Sequence, residues 1–104
     1  MKNKKTIIVA DDHTLFREGL IRILHQFEEY SVIDVAVNGA DAEEKILNLK
    51  PDIAILDNSM PLKSGIEVIG SLKEKNSVTL CVILTMHTEE YYLEDALQNG
   101  AKGY

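Results

Sequence analysis

The chain has 104 residues, of which 45% are hydrophobic, and it carries a formal net charge of −6 at pH 7. A chain of this length suits one compact domain and leaves no room for a second independent core. The acidic balance argues against direct binding of nucleic acid by this segment, because binding to phosphates depends on clustered Lys and Arg side chains.

Strand-like and helix-like segments alternate along the sequence. Short apolar segments predict four strands, over residues 6–10, 32–37, 53–56 and 80–84. Apolar residues at helical spacing predict helices over residues 14–27, 40–49 and 66–75. A fourth helix that Thr88 caps and Asn99-Gly100 terminates, and a fifth strand near Ala101, complete the pattern. This order favours a doubly wound α/β fold around a parallel sheet.

The first predicted helix is amphipathic. Its charged residues, Arg17 among them, are expected to face water. The apolar residues that define its opposite face are Leu15, Phe16, Leu20, Ile23, Leu24 and Phe27.

Targeting signals and disulfides are not expected. The apolar stretch 7–10 is too short for the core of a signal peptide, and no apolar run approaches the roughly 20 residues that cross a bilayer, so the sequence predicts a soluble, cytoplasmic domain. The single cysteine, Cys81, has no partner for an internal disulfide and lies in an apolar run. We therefore expect an inert, buried thiol.

Polar residues follow three of the predicted strands at the point where each strand ends. Asp11 and Asp12 follow the first strand, Asp57 follows the third, and Thr85 follows the fourth. The carboxyl ends of parallel strands meet at one edge of the sheet, and ligands bind beyond that edge near the switch in strand order. Acidic residues after a strand also serve as helix caps or solvated loop residues, which is the alternative for each residue taken alone. Their joint placement favours a site.

Carboxylates that meet at this edge repel each other. At about 5 Å and an effective dielectric near 20 the repulsion is roughly 3 kcal/mol, which a divalent cation would offset. All-oxygen ligands indicate a hard ion such as Mg²⁺. A carboxylate beside such an ion can attack phosphorus, so Asp57 is a candidate phosphoacceptor and Thr85 a candidate hydrogen-bond donor to the phosphoryl group.

Several motifs together resemble response-regulator receiver domains of the NarL/FixJ class along essentially the whole chain. They are Asp11-Asp12-His13, residues 15–20, Leu56-Asp57, Met60-Pro61, Ser64-Gly65, Leu84-Thr85 and residues 100–104. The resemblance implies a flavodoxin-like, five-stranded parallel sheet in the order 2-1-3-4-5, with residues 1–104 as one receiver domain.

By this resemblance, Asp57 is the phosphoacceptor of a signalling domain that catalyses only its own phosphorylation and dephosphorylation. The implied Mg²⁺ ligands are Asp12, Asp11, Asp57 and the backbone carbonyl of Ser59. Thr85 and Tyr104 are the implied switch pair, in which the hydroxyl moves toward the phosphoryl group and the aromatic ring turns inward.

The C-terminal end departs from the pattern of that class. The class has a lysine three residues beyond the switch aromatic and a final helix, whereas this sequence stops at Tyr104. We therefore expect a domain truncated after its fifth strand begins. The resemblance implies a sensor histidine kinase as phosphodonor, homodimerisation through helix surfaces, and DNA binding only through a C-terminal domain outside this sequence.

Other residues and other functions carry weaker signals. His87 and Ser59 border the expected cleft, as regulators of phosphoryl lifetime or as solvated loop residues. His13 and His25 have no sequence partner that indicates a metal site, so structural roles are expected. A haloacid-dehalogenase-like phosphatase would need an aspartate where Ser59 stands. A flavodoxin-like cofactor binder would bring a phosphate against Asp11 and Asp12. A pseudo-receiver that binds partners without phosphorylation remains open.

Overall fold

Four strands and three helices alternate through residues 4–84, the part of the chain that the structure, a computed structural model, describes. The elements are β1 (Lys5–Ala10), α1 (Thr14–Leu24), β2 (Tyr30–Ala36), α2 (Gly39–Leu49), β3 (Ile53–Asp57), α3 (Gly65–Glu74) and β4 (Leu80–Leu84). All strand pairs are parallel, in the order β2-β1-β3-β4. The predicted parallel α/β sheet and the adjacency of its first and third strands are confirmed. The fourth helix and fifth strand of the prediction lie outside the described residues.

Strand β1, at the centre of the sheet, is covered on both faces. In β1, Ile8 and Ala10 belong to the core that α2 and α3 complete, whereas Ile7 and Val9 point to the opposite face because side chains alternate along a strand. All four residues are at most 1% exposed. Strands buried on both faces need no polar alternation, which is why their sequences are almost unbroken apolar runs.

Helices α2 and α3 begin at side-chain caps. The Asn38 side chain accepts a hydrogen bond from the Asp41 backbone N–H (2.7 Å). At α3, Ser64 and Glu67 form a reciprocal capping box. Such caps satisfy backbone donors that the first helical turn leaves without partners. Helix α2 ends where Lys50 adopts a left-handed conformation (φ 49°), one residue before the proline that the sequence predicts to close it.

The prediction for α1 is wrong in its extent, and only part of its predicted apolar face is covered within residues 4–84. The helix ends at Leu24, because the Gln26 and Phe27 N–H groups bond to carbonyls three residues earlier and tighten the chain into turns. Phe27 instead makes an edge-to-face contact with Tyr30, with ring centroids 6.2 Å apart. Within residues 4–84 no α1 side chain is fully buried; Leu20 and Leu24 are half-buried, whereas Leu15, Phe16, Ile23 and the nearby Phe27 are exposed.

Cys81 is buried in β4, as the sequence predicts. Burial raises the pKa of its thiol to about 11, so the thiolate is scarce at neutral pH and the side chain acts as a small apolar group. Among the residues described, no helix combines the length and hydrophobicity that a membrane span requires.

Candidate metal centre

The register of the sheet brings the acidic residues together. Ala10 of β1 lies opposite Leu56 of β3, so the residues that come next, Asp11 and Asp57, leave the same edge side by side. One carboxylate oxygen from each of Asp11, Asp12 and Asp57 and one ring nitrogen of His13 all lie within 4.8 Å of one another. The expectation that carboxylates of the first and third strands meet at this edge therefore agrees with the structure.

Asp11 is the most deeply held member of the group and is 4% exposed. Its side chain accepts a hydrogen bond from the His13 backbone N–H (2.8 Å), and its own N–H donates to the Ala36 carbonyl of β2 (3.0 Å). The Arg17 guanidinium donates to the Asp11 backbone carbonyl (2.7 Å). Arg17 is thus half-buried beside the site and does not simply face water, contrary to the sequence-based expectation.

Asp57 ends β3 with its side chain 12% exposed. Burial raises the pKa of its carboxyl above the usual value, and the charges of Asp11 and Asp12 raise it further. The Ser59 N–H donates to Oδ1 of Asp57 (3.1 Å) and opposes this rise, because it stabilises the ionised form. The pKa of Asp57 is therefore raised first by burial and then by the two neighbouring carboxylates.

His13 is the member of the group that the sequence does not reveal. Its Nδ1 lies 3.0 Å from an Asp12 oxygen, 3.1 Å from an Asp11 oxygen and 3.9 Å from an Asp57 oxygen. The hydrogen bond with Asp11 and then the charge of Asp12 raise the pKa of the imidazole. The only signal in the sequence is the position of His13 directly after two aspartates. That position is equally consistent with a helix N-cap, which His13 also is in the structure.

The donor set fits a hard divalent cation. Carboxylate oxygens are the ligands that Mg²⁺ prefers, and it commonly takes one or two of them while keeping several waters. The Asp12 side chain is 32% exposed, so one side of the group is open to water. The Ser59 N–H contact brings the backbone of that residue beside Asp57, whereas its carbonyl remains a predicted ligand. Thr85, His87 and Tyr104 lie outside the described residues.

The residues after Asp57 are tied into neighbouring elements. The Asn58 backbone N–H donates to the Leu84 carbonyl of β4 (3.2 Å), and its side-chain oxygen accepts from the Ile66 N–H of α3 (3.2 Å). Asn58 is only 8% exposed. At Gly65, a Cβ would lie 3.0 Å from the Asp57 carbonyl oxygen, so α3 starts hard against the end of β3. Sequence reasoning missed Asn58, since a polar residue in a loop is ordinarily solvated.

Known proteins resemble this chain along almost its whole length. The family model for the response regulator receiver domain matches residues 7–104. The oxygen regulatory protein NreC of Staphylococcus haemolyticus is 41% identical over 99 residues, which are 94% of this chain and 46% of that protein. NreC of Staphylococcus carnosus is 40% identical with the same coverage. The chain therefore spans about half the length of these relatives.

Solved structures give the same answer. The signal receiver domain of the response regulator NarL from Mycobacterium tuberculosis superposes with a TM-score of 0.95 at 36% identity, covering 98% of this chain and 82% of that one. A DNA-binding response regulator of the LuxR family from Staphylococcus aureus gives 0.91 at 26% identity, with 96% and 83% covered. A chain of the CheX-CheY-BeF3-Mg complex of Borrelia burgdorferi gives 0.89 at 26% identity, with 96% and 75% covered. The chain belongs to the response regulator receiver domain family, in its NarL-type branch.

Proposed function

We propose that the chain is a phosphoacceptor that takes a phosphoryl group from a sensor histidine kinase onto Asp57. Mg²⁺ would be held by Asp11, Asp12, Asp57 and the backbone carbonyl of Ser59. The observation that carries the proposal is the convergence of three carboxylates from the ends of β1 and β3 within 4.8 Å. Carboxylates brought together in this way repel each other unless a cation lies among them.

The chain's own residues prepare Asp57 for attack on phosphorus. A carboxylate must be ionised to act as a nucleophile, and the Ser59 N–H favours that form against the effect of burial. Mg²⁺ bound here would offset the repulsion among the carboxylates and the charge of the phosphoryl oxygens. Thr85 would donate a hydrogen bond to the transferred group, and Tyr104 would be the aromatic member of the switch. The domain would catalyse only its own phosphorylation and dephosphorylation.

The relatives support a role in two-component signalling. The Staphylococcus aureus neighbour is a DNA-binding response regulator, and the Borrelia burgdorferi neighbour was solved with BeF3 and magnesium. Because this chain matches only 46% of the length of NreC from Staphylococcus haemolyticus, we propose that DNA binding belongs to a C-terminal domain outside this sequence. A cytoplasmic location and a homodimer complete the proposal.

Two alternatives are less well supported. A haloacid-dehalogenase-like phosphatase would need a second acid two residues after its nucleophile, and Ser59 occupies that position. A pseudo-receiver would share the fold but not the phosphoryl chemistry, so an experiment separates it from the proposal. Family membership itself does not favour either alternative.

The test is phosphorylation of the full chain, including any residues that follow Tyr104 in the native protein. Incubation with Mg²⁺ and acetyl phosphate should add one phosphoryl group, detected by intact-protein mass spectrometry. Asp57→Asn should abolish the gain. Asp52→Asn is the matched control, because Asp52 lies just before the first residue of β3, at the end of the strand opposite Asp57. The Asp52→Asn protein should be phosphorylated like the wild type. A phosphoryl group retained in Asp57→Asn would refute the assignment, and a wild type that binds no beryllofluoride by fluorine NMR would indicate a pseudo-receiver.

A further inference from the structure

The loop of residues 58–64, here called the Asp57 loop, packs directly on helix α2. The Gly39 backbone N–H, in the first turn of α2, donates to the Pro61 carbonyl (3.3 Å). A Cβ on Gly39 would lie only 1.9 Å from the Lys63 carbonyl oxygen. Backbone therefore meets backbone here, and the position of the loop depends on the position of α2.

A buried carboxylate of α2 fastens the same loop through its side chain. Glu43 is 8% exposed, and its two oxygens accept hydrogen bonds from two lysines, Lys63 of the loop (2.5 Å) and Lys75 at the end of α3 (2.6 Å). The Lys63 ammonium also donates to the Ser71 hydroxyl of α3 (2.7 Å). Burial opposes ionisation of Glu43, yet these bonds outweigh it and leave the pKa of the carboxyl below its usual value.

The conformation of the Asp57 loop depends on contacts with elements outside it. Leu62 has φ 69°, in the left-handed region that branched side chains rarely adopt, and its side chain is 81% exposed. Nothing about an exposed leucine favours that conformation, so the surrounding contacts must enforce it. The residue that follows, Lys63, makes two of the loop's contacts to α2, its carbonyl against Gly39 and its ammonium on Glu43, in addition to the hydrogen bond that the Pro61 carbonyl accepts.

We infer that Lys63, held by Glu43, is a positioning residue that keeps the Asp57 loop in the shape required at the metal centre. This inference rests on the function proposed above for Asp57. The ion pair acts through the backbone of the loop, where the Ser59 N–H contacts Asp57. Partners that orient metal ligands without touching the metal typically change its affinity by 10–100-fold when they are mutated.

The chain offers a matched pair of variants. Lys63→Met and Lys75→Met each leave Glu43 with one lysine. Lys63→Met also removes the hydrogen bond to Ser71, and it is the variant that removes a contact of the Asp57 loop, whereas Lys75→Met leaves the loop's own contacts in place. In the full chain, Lys63→Met should weaken Mg²⁺ binding about 10-fold by isothermal titration calorimetry, whereas Lys75→Met should change it less than about 2-fold. Glu43→Gln, which keeps the shape of the side chain, should behave like Lys63→Met and serves if that variant does not fold.

A second readout distinguishes positioning from general stability. In ¹⁵N NMR spectra of the metal-free protein, Lys63→Met should move the Ser59 amide resonance, and Lys75→Met should leave it in place even if both lower the melting temperature. Equal effects of the two variants on Mg²⁺ affinity, or an unmoved Ser59 resonance in Lys63→Met, would overturn the inference. A wild type that fails to bind Mg²⁺ contradicts the proposed function instead, and with it the role of Lys63 in that function.

Discussion

Replacing Gly39 by alanine should force helix α2 and the Asp57 loop apart. The added Cβ would lie 1.9 Å from the Lys63 carbonyl oxygen and 2.5 Å from its carbonyl carbon. Close carbon–oxygen contacts in proteins lie at about 3.3 Å or more, so one of the two segments must move by more than about 1 Å. Because the clash is with backbone, no side-chain rotation relieves it.

The cost follows from the known penalty of overpacking. Extra methyl groups in well-packed regions typically cost about 1–3 kcal/mol, and a backbone clash should lie in the upper half of that range. For a domain of this size each kcal/mol lowers the melting temperature by about 4–8 °C, so Gly39→Ala should lose roughly 10–20 °C. Thermal and urea unfolding followed by far-UV circular dichroism measure both quantities.

Gly19→Ala is the control for this prediction. Gly19 lies inside α1, and among residues 4–84 a Cβ there would meet no atom outside its own helix backbone within 4 Å. Alanine is a better helix former than glycine by about 0.8–1.0 kcal/mol, so this variant should be more stable than the wild type. Glycine-to-alanine substitution should therefore lower the free energy of unfolding at Gly39 and raise it at Gly19. A Gly39→Ala protein as stable as the wild type would show that the backbones of α2 and the Asp57 loop are not in direct contact at Gly39.

Two further predictions concern Asp57 and the core. Burial, and then the charges of Asp11 and Asp12, raise the pKa of the Asp57 carboxyl, so its ionised form destabilises the folded protein. At pH 7, metal-free Asp57→Asn should therefore have a higher melting temperature than the wild type. This difference in melting temperature should shrink as the pH falls toward the usual carboxyl pKa of 3.8, because the wild-type carboxyl becomes protonated. An Asn variant that melts no higher than the wild type at pH 7 would contradict this electrostatic account. Leu56 is fully buried, so Leu56→Ala should lower the free energy of unfolding in urea by about 2–5 kcal/mol. Leu62 is 81% exposed, so Leu62→Ala should change it by less than about 0.5 kcal/mol. Similar losses in the two variants would argue against the assigned core.

Local sequence patterns predict the sheet well, and the reason is physical. A parallel strand buried on both faces, as β1 is over residues 7–10, must be apolar at every position. The unbroken apolar run Leu80–Leu84 gives the correct bounds of β4 by the same pattern, although Leu80 itself is 40% exposed. The acidic edge of the site could be predicted from the same strands, because Asp11 directly follows β1 and Asp57 is the last residue of β3. The likeness to a known family adds the expected roles of these residues.

Helix α1 shows where the pattern is insufficient. Helical spacing of Leu15, Phe16 and Ile23 indicates an apolar face, but it does not say which segment covers that face. Within residues 4–84 these three side chains are exposed, and Leu20 and Leu24 of the same helix are half-buried. The end of the helix was also misplaced, since Phe27 continues the spacing of the apolar residues while its backbone already forms a turn and its ring packs on Tyr30.

The Asp57 loop could not have been predicted, because its contacts join residues far apart in the chain. Lys63 and Glu43 are twenty residues apart and Lys75 and Glu43 thirty-two, and no local pattern pairs them. This difference divides the site into two parts. The strands bring the carboxylates together whatever the loop does, whereas the neutral backbone groups near Asp57 depend on α2. Loosening the loop should therefore lower the affinity of the site for a cation. The three carboxylates would stay close together, so their mutual repulsion would remain.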